Sequence, residues 1–460
     1  MILAAALFTN GCARKQTAAF QKLTDSQVAA QLKSFVAAKE AQANAATQAG
    51  GQEAPPEFKT FFAAAGKNDW LAVSNQFADF QKRAPQYKHS GKTDERLRGT
   101  AWQAVLETYG AEESFALGGE KYAAAYGNGI IETIPPGSIY FGGTDPGRFI
   151  VAAMEKSQVS ADPFFTLTQN ALADGSYLDY LRSMYEGKIY IPTADDSEKC
   201  FRDYTSDIQI RLKENKLKPG EDVQVDPKSG RVQVSGQVAV MEINGLLAKI
   251  IFDQNSNREC YVEESFPLDW MYPYLEPHGL IFKLNRQPLP GLSDEIVQRD
   301  HDYWTKTVTP MIGDWLKPDT SVGEVAAFAE KVFARHDFSG FTGDPQFVEN
   351  AYSHKMFSKE RNSIAGLYGW RAQHATDAAE KKRMSDAADF AFRQAWALCP
   401  YSPETVVRYA NLLMSEQRFS DALLIAETAV KMPEMKGPDG DQMRELANQL
   451  KNIQQQVKGR

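Results

Sequence analysis

Polar side chains follow short apolar runs in the middle of the chain, at points where we expect buried strands to end. The carboxyl ends of parallel strands meet at one edge of a sheet, and ligands bind beyond that edge. Seven candidate ligand-binding residues stand at these positions: Thr144, Asp145, Arg148, Gln169, Asn170, Glu263 and Glu264. An arginine beside a helix N-terminus can hold phosphate through backbone N–H groups and charge-assisted hydrogen bonds. The pattern therefore indicates a site for an anion or a sugar phosphate.

The first of these loops also fits an ordinary helix start. Asp145 followed by Pro146 is the common pairing of an N-cap with proline at the first helical position. The adjacent glycines form neither G-x-G-x-x-G nor G-K-[ST], so they give little support for a nucleotide site. Helix capping is favoured over ligand binding, and both interpretations stay open.

Adjacent carboxylates such as Glu263 and Glu264 can act as general acid and base, because each raises the pKa of the other. Successive strand residues point to opposite faces, however, and most carboxylates are surface groups, so a solvated acidic rim is favoured. His301 and His336 stand beside aspartates without the H-E-x-x-H spacing of a metal site. We therefore predict no catalytic residue, no metal site and no cofactor.

The composition excludes a single small module and a nucleic-acid partner. A chain of 460 residues fits two to four folded units, and 43% hydrophobic residues are typical of a globular protein. Lys and Arg number 51 against 59 Asp and Glu, which gives a formal net charge of −8. A net negative charge disfavours a broad basic surface for phosphate backbones.

The first residues have the pattern of a targeting segment. An apolar run at residues 2–8 leads to Gly11 and Cys12, as in a signal peptide that ends at a lipidated cysteine. This start resembles that of bacterial lipoproteins, although Thr9 stands where Leu or Val is usual and a basic beginning is missing. The alternative is a ragged apolar N-terminus of a cytoplasmic protein. We expect residues 1–22 to be this segment, with Cys12 lipidated and the protein anchored on the periplasmic side of the bacterial envelope.

The three other cysteines, Cys200, Cys260 and Cys399, have no paired spacing. They are expected to be small buried residues, and a bridge between Cys200 and Cys260 stays open.

The chain divides into helical ends and a mixed centre. Residues 23–126 show helical spacing, whereas strands are expected at 138–141, 164–168, 188–191, 260–262 and 279–284, with helices between them. Strands that alternate with crossover helices indicate an α/β fold, with a Rossmann-like, mostly parallel sheet over residues 127–290. Two alternating runs around a Pro/Ser/Gly turn predict an inserted hairpin at 222–235.

The C-terminal part carries an internal repeat. After a helical connector at 291–355, residues 356–460 are predicted to be tetratricopeptide-like, because Ala388 and Ala395 recur as Ala422 and Ala429 at the 34-residue period. Small residues at these positions let paired helices pack closely, and such repeats form concave surfaces for partner proteins. The alternative is an ordinary helical bundle with coincidental alanines.

The central run at 134–149, which includes GTDPGRF at 143–149, carries a family resemblance together with residues 168–174, 261–265 and 270–273. It resembles the soluble C-terminal portion of polytopic, protein O-mannosyltransferase-like bacterial membrane proteins over residues 126–285. In that family the glycosyl-transfer chemistry is attributed to a membrane domain that the resemblance does not include, so no catalytic residue carries over. The resemblance implies the sheet domain and an envelope setting.

These patterns predict a non-catalytic, envelope-anchored binding or scaffold protein. It would bind a partner protein through the helical repeats and a glycan or sugar phosphate at the sheet, and contact the membrane by its lipid anchor only. The alternative is a glycosyltransferase-related enzyme or accessory subunit that acts on an activated sugar in surface glycosylation. Binding is favoured because the chain shows no recognisable nucleophile and base arrangement.

Overall fold

We describe the protein from a computed structural model over residues 25–49, 54–87, 92–143, 145–158, 164–225, 232–264 and 267–458. Cys12, with the rest of the expected targeting segment, and Thr144 lie outside these residues. No helix in the described ranges combines the length and apolar character needed to cross a membrane.

Helices form most of the fold. The first group is α1 (Asp25–Ala49), α2 (Pro56–Ala65), α3 (Trp70–Arg83), α4 (Thr100–Gly118) and α5 (Glu120–Ile131). Asp69 caps α3 by accepting from the backbone of Ala72 at 3.1 Å, and α2 and α3 form a helical hairpin. Its aromatic face, with Phe61, Phe77 and Phe80 buried, packs against the start of α4. A short 3-10 turn, Pro85–Tyr87, follows α3.

The described residues at the centre of the chain form seven short strands: β1 (Ile139–Gly142), β2 (Phe165–Thr168), β3 (Asp222–Val225), β4 (Val232–Ser235), β5 (Cys260–Val262), β6 (Leu275–His278) and β7 (Ile281–Leu284). Five of them form a sheet in the order β2-β1-β5-β7-β6. β1 is parallel to β2 and β5, whereas β7 is antiparallel to β5 and β6. The sheet is therefore mixed, and the prediction of a mostly parallel sheet is corrected.

The strand predicted at residues 188–191 is absent, although Ile189 and Ile191 are buried. The side chain of Asn255 forms hydrogen bonds with backbone groups of this segment instead. It accepts from the Tyr190 N–H at 2.8 Å and donates to the Tyr190 carbonyl at 3.1 Å. Because a side chain takes these backbone groups, no strand ladder forms there. The sheet contains β6 instead, a strand that was not predicted. After β6 the chain turns at Gly279 (φ 66°) and enters β7, the predicted closing strand.

The helices around the sheet are α6 (Pro146–Gln158), α7 (Gly175–Tyr185), α8 (Ala194–Lys213) and α9 (Gly236–Gln254). α6 connects β1 to the parallel β2. The predicted hairpin is present as the antiparallel pair β3 and β4, which forms its own two-stranded sheet between α8 and α9. A 3-10 turn, Gln169–Ala171, follows β2, and another, Asp269–Tyr274, precedes β6. Because β1, β2 and β5 are parallel, their carboxyl ends lie at the same edge of the sheet.

The C-terminal helices are α10 (Asp294–Ile312), α11 (Val322–Ala329), α12 (Pro345–Glu349), α13 (Ala351–His374), α14 (Ala378–Leu398), α15 (Pro403–Ser415), α16 (Phe419–Val430) and α17 (Pro438–Lys458). A π-helical turn, Glu330–Ala334, extends α11. The four repeat alanines, at 388, 395, 422 and 429, are completely buried. One apolar core runs from the sheet into these helices, so both share a single interior. Cys200, Cys260 and Cys399 are buried and unbridged.

Candidate functional site

Asp145 begins α6 and has the contacts of a helix cap. The backbone N–H groups of Arg148 and Phe149 donate to its carbonyl at 3.1 Å, and its Oδ1 accepts from the Gly147 N–H at 3.0 Å. Its other carboxylate oxygen accepts from the Nζ of Lys359, a residue of α13. Asp145 therefore caps the helix and also faces a cation that sequence reasoning missed.

Lys359 lies among three carboxylates, two at the ends of β1 and β5 and one on its own helix. Its ammonium donates to Asp145 and Glu263 and lies 3.7 Å from Glu360. Burial disfavours the charged ammonium, but the carboxylates outweigh it and hold the pKa of Lys359 well above its usual value. Lys359 is therefore a protonated ion-pair partner and is unsuited to act as a base or nucleophile at neutral pH.

Glu263 and Glu264 have different hydrogen-bond partners, as expected for successive residues at the end of a strand. Glu263 is fully buried, and its Oε2 accepts from the Gly143 N–H at 3.1 Å. Glu264 accepts instead from Asn170 at 3.0 Å. The prediction of a solvated acidic rim is thus wrong for Glu263, because its hydrogen bonds and Lys359 compensate for its burial.

The pKa values of two neighbouring buried carboxyls are raised. Burial, reinforced by Asp145, raises the pKa of Glu263, and burial, reinforced by Glu263, raises that of Glu360 well above its usual range. Tyr126 donates to Glu360 Oε1 at 2.5 Å. These groups lie in the interior, so this cluster mainly joins α13 to the strand ends.

Arg148 lies in a different cluster. It is 2% exposed, donates to Glu107 on α4, and stacks 5.3 Å from the ring of Tyr177. Glu107 also pairs with Lys39 of α1 at 2.5 Å and accepts from Tyr180 at 2.6 Å. Burial raises the pKa of Glu107, but the two cations outweigh burial and lower it to about 2. This network ties the N-terminal helices to the sheet.

The polar residues after β2 are buried with unsatisfied atoms. Gln169 is completely buried, and neither its Nε2 nor its Oε1 has a hydrogen-bond partner among the described residues. The same holds for Thr168 Oγ1 and Asn170 Oδ1, while Asn244 donates to the Asn170 carbonyl at 3.0 Å. Each unsatisfied buried group costs about 1–3 kcal/mol. The end of β2 therefore has unused hydrogen-bonding capacity.

A cleft of about 740 Å³ lies beside these residues, and we call it the Arg148 cleft. Ala171, Asp174, Ser176 and Arg148 line one side. The other side comes from the N-terminal helical region: Pro85, Tyr87, Arg98, Gly99, Trp102, Gln103 and Leu106. Sequence reasoning missed this second side because the packing of α4 on α6 and α7 brings it to the sheet.

Neither metal chemistry nor a catalytic histidine stands out in the structure. No group of three or more His, Cys, Asp or Glu side chains is placed to hold a metal ion anywhere in the part of the chain described. Burial lowers the pKa of His301 to about 4, and its ring packs edge-on against Phe390. His301 is therefore a neutral, half-buried residue at pH 7.

Chemically, the strand ends offer internal ion pairs, whereas the Arg148 cleft offers guanidinium, amide, hydroxyl and aromatic groups on a single concave surface. The first arrangement supports the fold, and the second suits a ligand. The chain matches no protein-family model, no curated protein and no solved structure.

Proposed function

We propose that this protein is a non-catalytic binding protein whose Arg148 cleft takes an anionic glycan, one that carries a carboxylate or a phosphate. The observation that carries the proposal is the lining of the cleft: its described residues combine two guanidinium groups with two aromatic rings and a single carboxylate, that of Asp174. Its volume of about 740 Å³ lies within the usual range for small-molecule sites.

The aromatic part of the cleft suits the apolar C–H face of a sugar ring. The rings of Tyr87 and Trp102 lie 6.4 Å apart, edge to face, and Tyr87 is 42% exposed. Aromatic rings provide a large contact area with few rotatable bonds. The Gln103 amide can donate and accept hydrogen bonds with sugar hydroxyls, and the Ser176 hydroxyl, which donates its proton to Asp174, can accept one.

The charges favour an anion. Arg148 contributes to the wall from a buried position that Glu107 holds in place, and Arg98 stands at the rim with 63% of its side chain exposed. Guanidinium groups bind carboxylates and phosphates through two parallel hydrogen bonds. Asp174 opposes this attraction, but its Oδ1 already accepts from the backbone and hydroxyl of Ser176.

The remaining parts of the proposal concern the fold type, a protein partner and the location of the protein. We propose a Rossmann-like arrangement for the parallel strands β2, β1 and β5, which are supported by crossover helices, and a tetratricopeptide-like arrangement for α13–α17, which is supported by the buried repeat alanines. The helical part would bind a partner protein. Lipidation at Cys12 would hold the protein on the periplasmic side of the bacterial envelope, which agrees with a glycan ligand.

Titration calorimetry with three probes tests the glycan site: trigalacturonate, glucose 6-phosphate and neutral maltotriose. We expect heat from at least one anionic probe and weaker binding of maltotriose. Arg98→Ala should weaken anion binding about tenfold, because a charge-assisted hydrogen bond contributes about 1.5–3 kcal/mol. Arg96→Ala is the matched control, since Arg96 is 49% exposed in the same loop and does not line the cleft.

Tyr87→Ala tests the aromatic wall in the same way, and Phe201→Ala, 47% exposed on α8, is its control. Equal effects of a variant and its control, or no heat with any probe, would reject the site. The glycosyltransferase-related alternative predicts turnover: release of nucleoside diphosphate from nucleotide sugars, with Mg²⁺ or Mn²⁺ present, would replace the non-catalytic proposal.

A further inference from the structure

A second pocket, of about 320 Å³, lies between α1, α4 and the turn before α3, and we call it the Glu112 pocket. Val28 and Leu32 of α1 and Phe115 of α4 form apolar walls, each no more than 6% exposed. The Trp70 side chain forms part of the remaining wall. The pocket therefore offers an apolar interior large enough for a small molecule.

Glu112 is the unusual member of this lining. It is 2% exposed, and its Oε1 has no hydrogen-bond partner in the described part of the chain. Burial alone raises its pKa to about 7. A buried carboxylate without a partner is costly, and such groups are normally paired with a cation or hydrogen-bonded. This carboxyl is thus available to a ligand inside the pocket.

The rest of the lining determines which ligand fits. The described lining residues include a second carboxylate, Glu120, and no Lys, Arg or His. Asn68 adds a polar side chain at the turn. Carboxylates within apolar and aromatic walls suit a positively charged group attached to an apolar body, and indole rings also attract cations. The charge preference is opposite to that of the Arg148 cleft.

We propose that the Glu112 pocket binds a small organic amine, with its ammonium group at Glu112 and its apolar body against Leu32 and Phe115. The ammonium donates a hydrogen bond to Glu112 Oε1, which receives none from the described residues. Binding also provides the carboxylate with a counter-charge, which none of the described lining residues carries. This site is separate from the proposed glycan cleft and does not depend on it.

The test compares two probes of nearly equal shape on the wild-type protein, 2-phenylethylamine and 2-phenylethanol, by titration calorimetry at pH 8. We expect the amine to bind at least about tenfold more tightly than the alcohol, because a hydrogen bond between an ammonium and a carboxylate is stronger than one between neutral groups. Equal affinities, or no heat with the amine, would overturn the proposal.

Variants then locate the amine. Glu112→Gln keeps the side-chain shape and removes the charge, so amine affinity should fall about tenfold while alcohol affinity stays the same. Glu113→Gln is the matched control, because Glu113 is the next residue of α4, bonds to Tyr109 and does not line the pocket. An equal loss in both variants would overturn the assignment. If Glu112→Gln does not fold, the amine and alcohol comparison on the wild type decides the question.

Discussion

Lys359 donates a hydrogen bond to the buried carboxylate of Glu263 across 96 residues of sequence, and this contact joins α13 to the end of β5. The strand ends are where an α/β sheet usually binds its ligand. Here α13 covers part of that edge and neutralises it with the protein's own charges. The Arg148 cleft, where we propose that a ligand binds, lies between the sheet and the N-terminal helices.

Lys359→Met should destabilise the protein by about 3–5 kcal/mol at pH 7, because it leaves Glu263 buried without its cation. Urea denaturation followed by circular dichroism measures the free energy of unfolding. Lys355→Met is the control, since Lys355 is exposed one turn earlier on α13, and its effect should stay within about 0.5 kcal/mol. Similar stability in both variants would contradict a structural role for the Lys359 ion pairs.

Periodicity and turn residues predict the local elements well. The hairpin of α2 and α3, the strand, turn and helix around Asp145, and the hairpin of β3 and β4 are each encoded within a stretch of no more than about thirty consecutive residues. The strand expected at 188–191 fails for a non-local reason: Asn255 takes the backbone hydrogen bonds that a neighbouring strand would need. A single sequence does not show which distant side chain will do this.

The candidate site shows the same limit. Residues 358–363 read Ser-Lys-Glu-Arg-Asn-Ser, a pattern typical of a solvated helix face, and yet they are buried or half-buried. Arg361 pairs with Asp300 at 2.7 Å, and Asn362 donates to Glu404 at 2.8 Å. Polar residues are buried when distant partners satisfy them, so their own types do not reveal it. Sequence reasoning therefore found Asp145 and Glu263 but missed Lys359.

Glu107→Gln should cost about 3–5 kcal/mol at pH 7, because Lys39 and Arg148 would remain buried without their shared carboxylate. The pKa of Glu107 in the folded protein, about 2, lies below its ordinary value of 4.5. Its stabilising effect is therefore complete above pH 5 and is lost as the pH falls toward 2. Denaturation of the wild type and of Glu107→Gln between pH 5 and pH 2 should show that the difference between their unfolding free energies decreases as the pH falls.

Glu95→Gln is the control for Glu107→Gln, since Glu95 is 58% exposed and its pair with Arg98 lies on the surface. It should change the unfolding free energy by less than about 1 kcal/mol. A gap between wild type and Glu107→Gln that stays constant from pH 5 to pH 2 would argue against the assigned ion pairs.

Ala422→Leu should destabilise the protein by about 1–3 kcal/mol, because Ala422 is completely buried in α16 and extra methylenes would overpack the helix interface. Ala379→Leu, at an exposed position of α14, is the control and should have little effect. Thermal melting of both variants measures the difference. An unchanged melting temperature for Ala422→Leu would remove the support for close, repeat-like packing.

Cells that express the full chain should incorporate radiolabelled palmitate into the protein if Cys12 is lipidated, and Cys12→Ala should abolish the label. Cys200→Ala is the control, since Cys200 is buried in α8 and should not affect labelling. Equal labelling of wild type and Cys12→Ala would reject the anchor and, with it, the proposed location at the envelope.

Glu112→Gln should stabilise the protein at pH 8 and have little effect at pH 4.5. The pKa of Glu112 in the folded protein, about 7, lies above its ordinary value of 4.5, so the folded state binds the proton more tightly than the unfolded chain. The stability of the wild type therefore decreases as the pH rises from 4.5 through 7. Glutamine stays neutral, so the unfolding free energy of Glu112→Gln should exceed that of the wild type by about 1–3 kcal/mol at pH 8. Urea denaturation at both pH values measures it, with Glu113→Gln as the control. If the unfolding free energies of both variants depend on pH in the same way, burial of Glu112 is not the cause of that dependence.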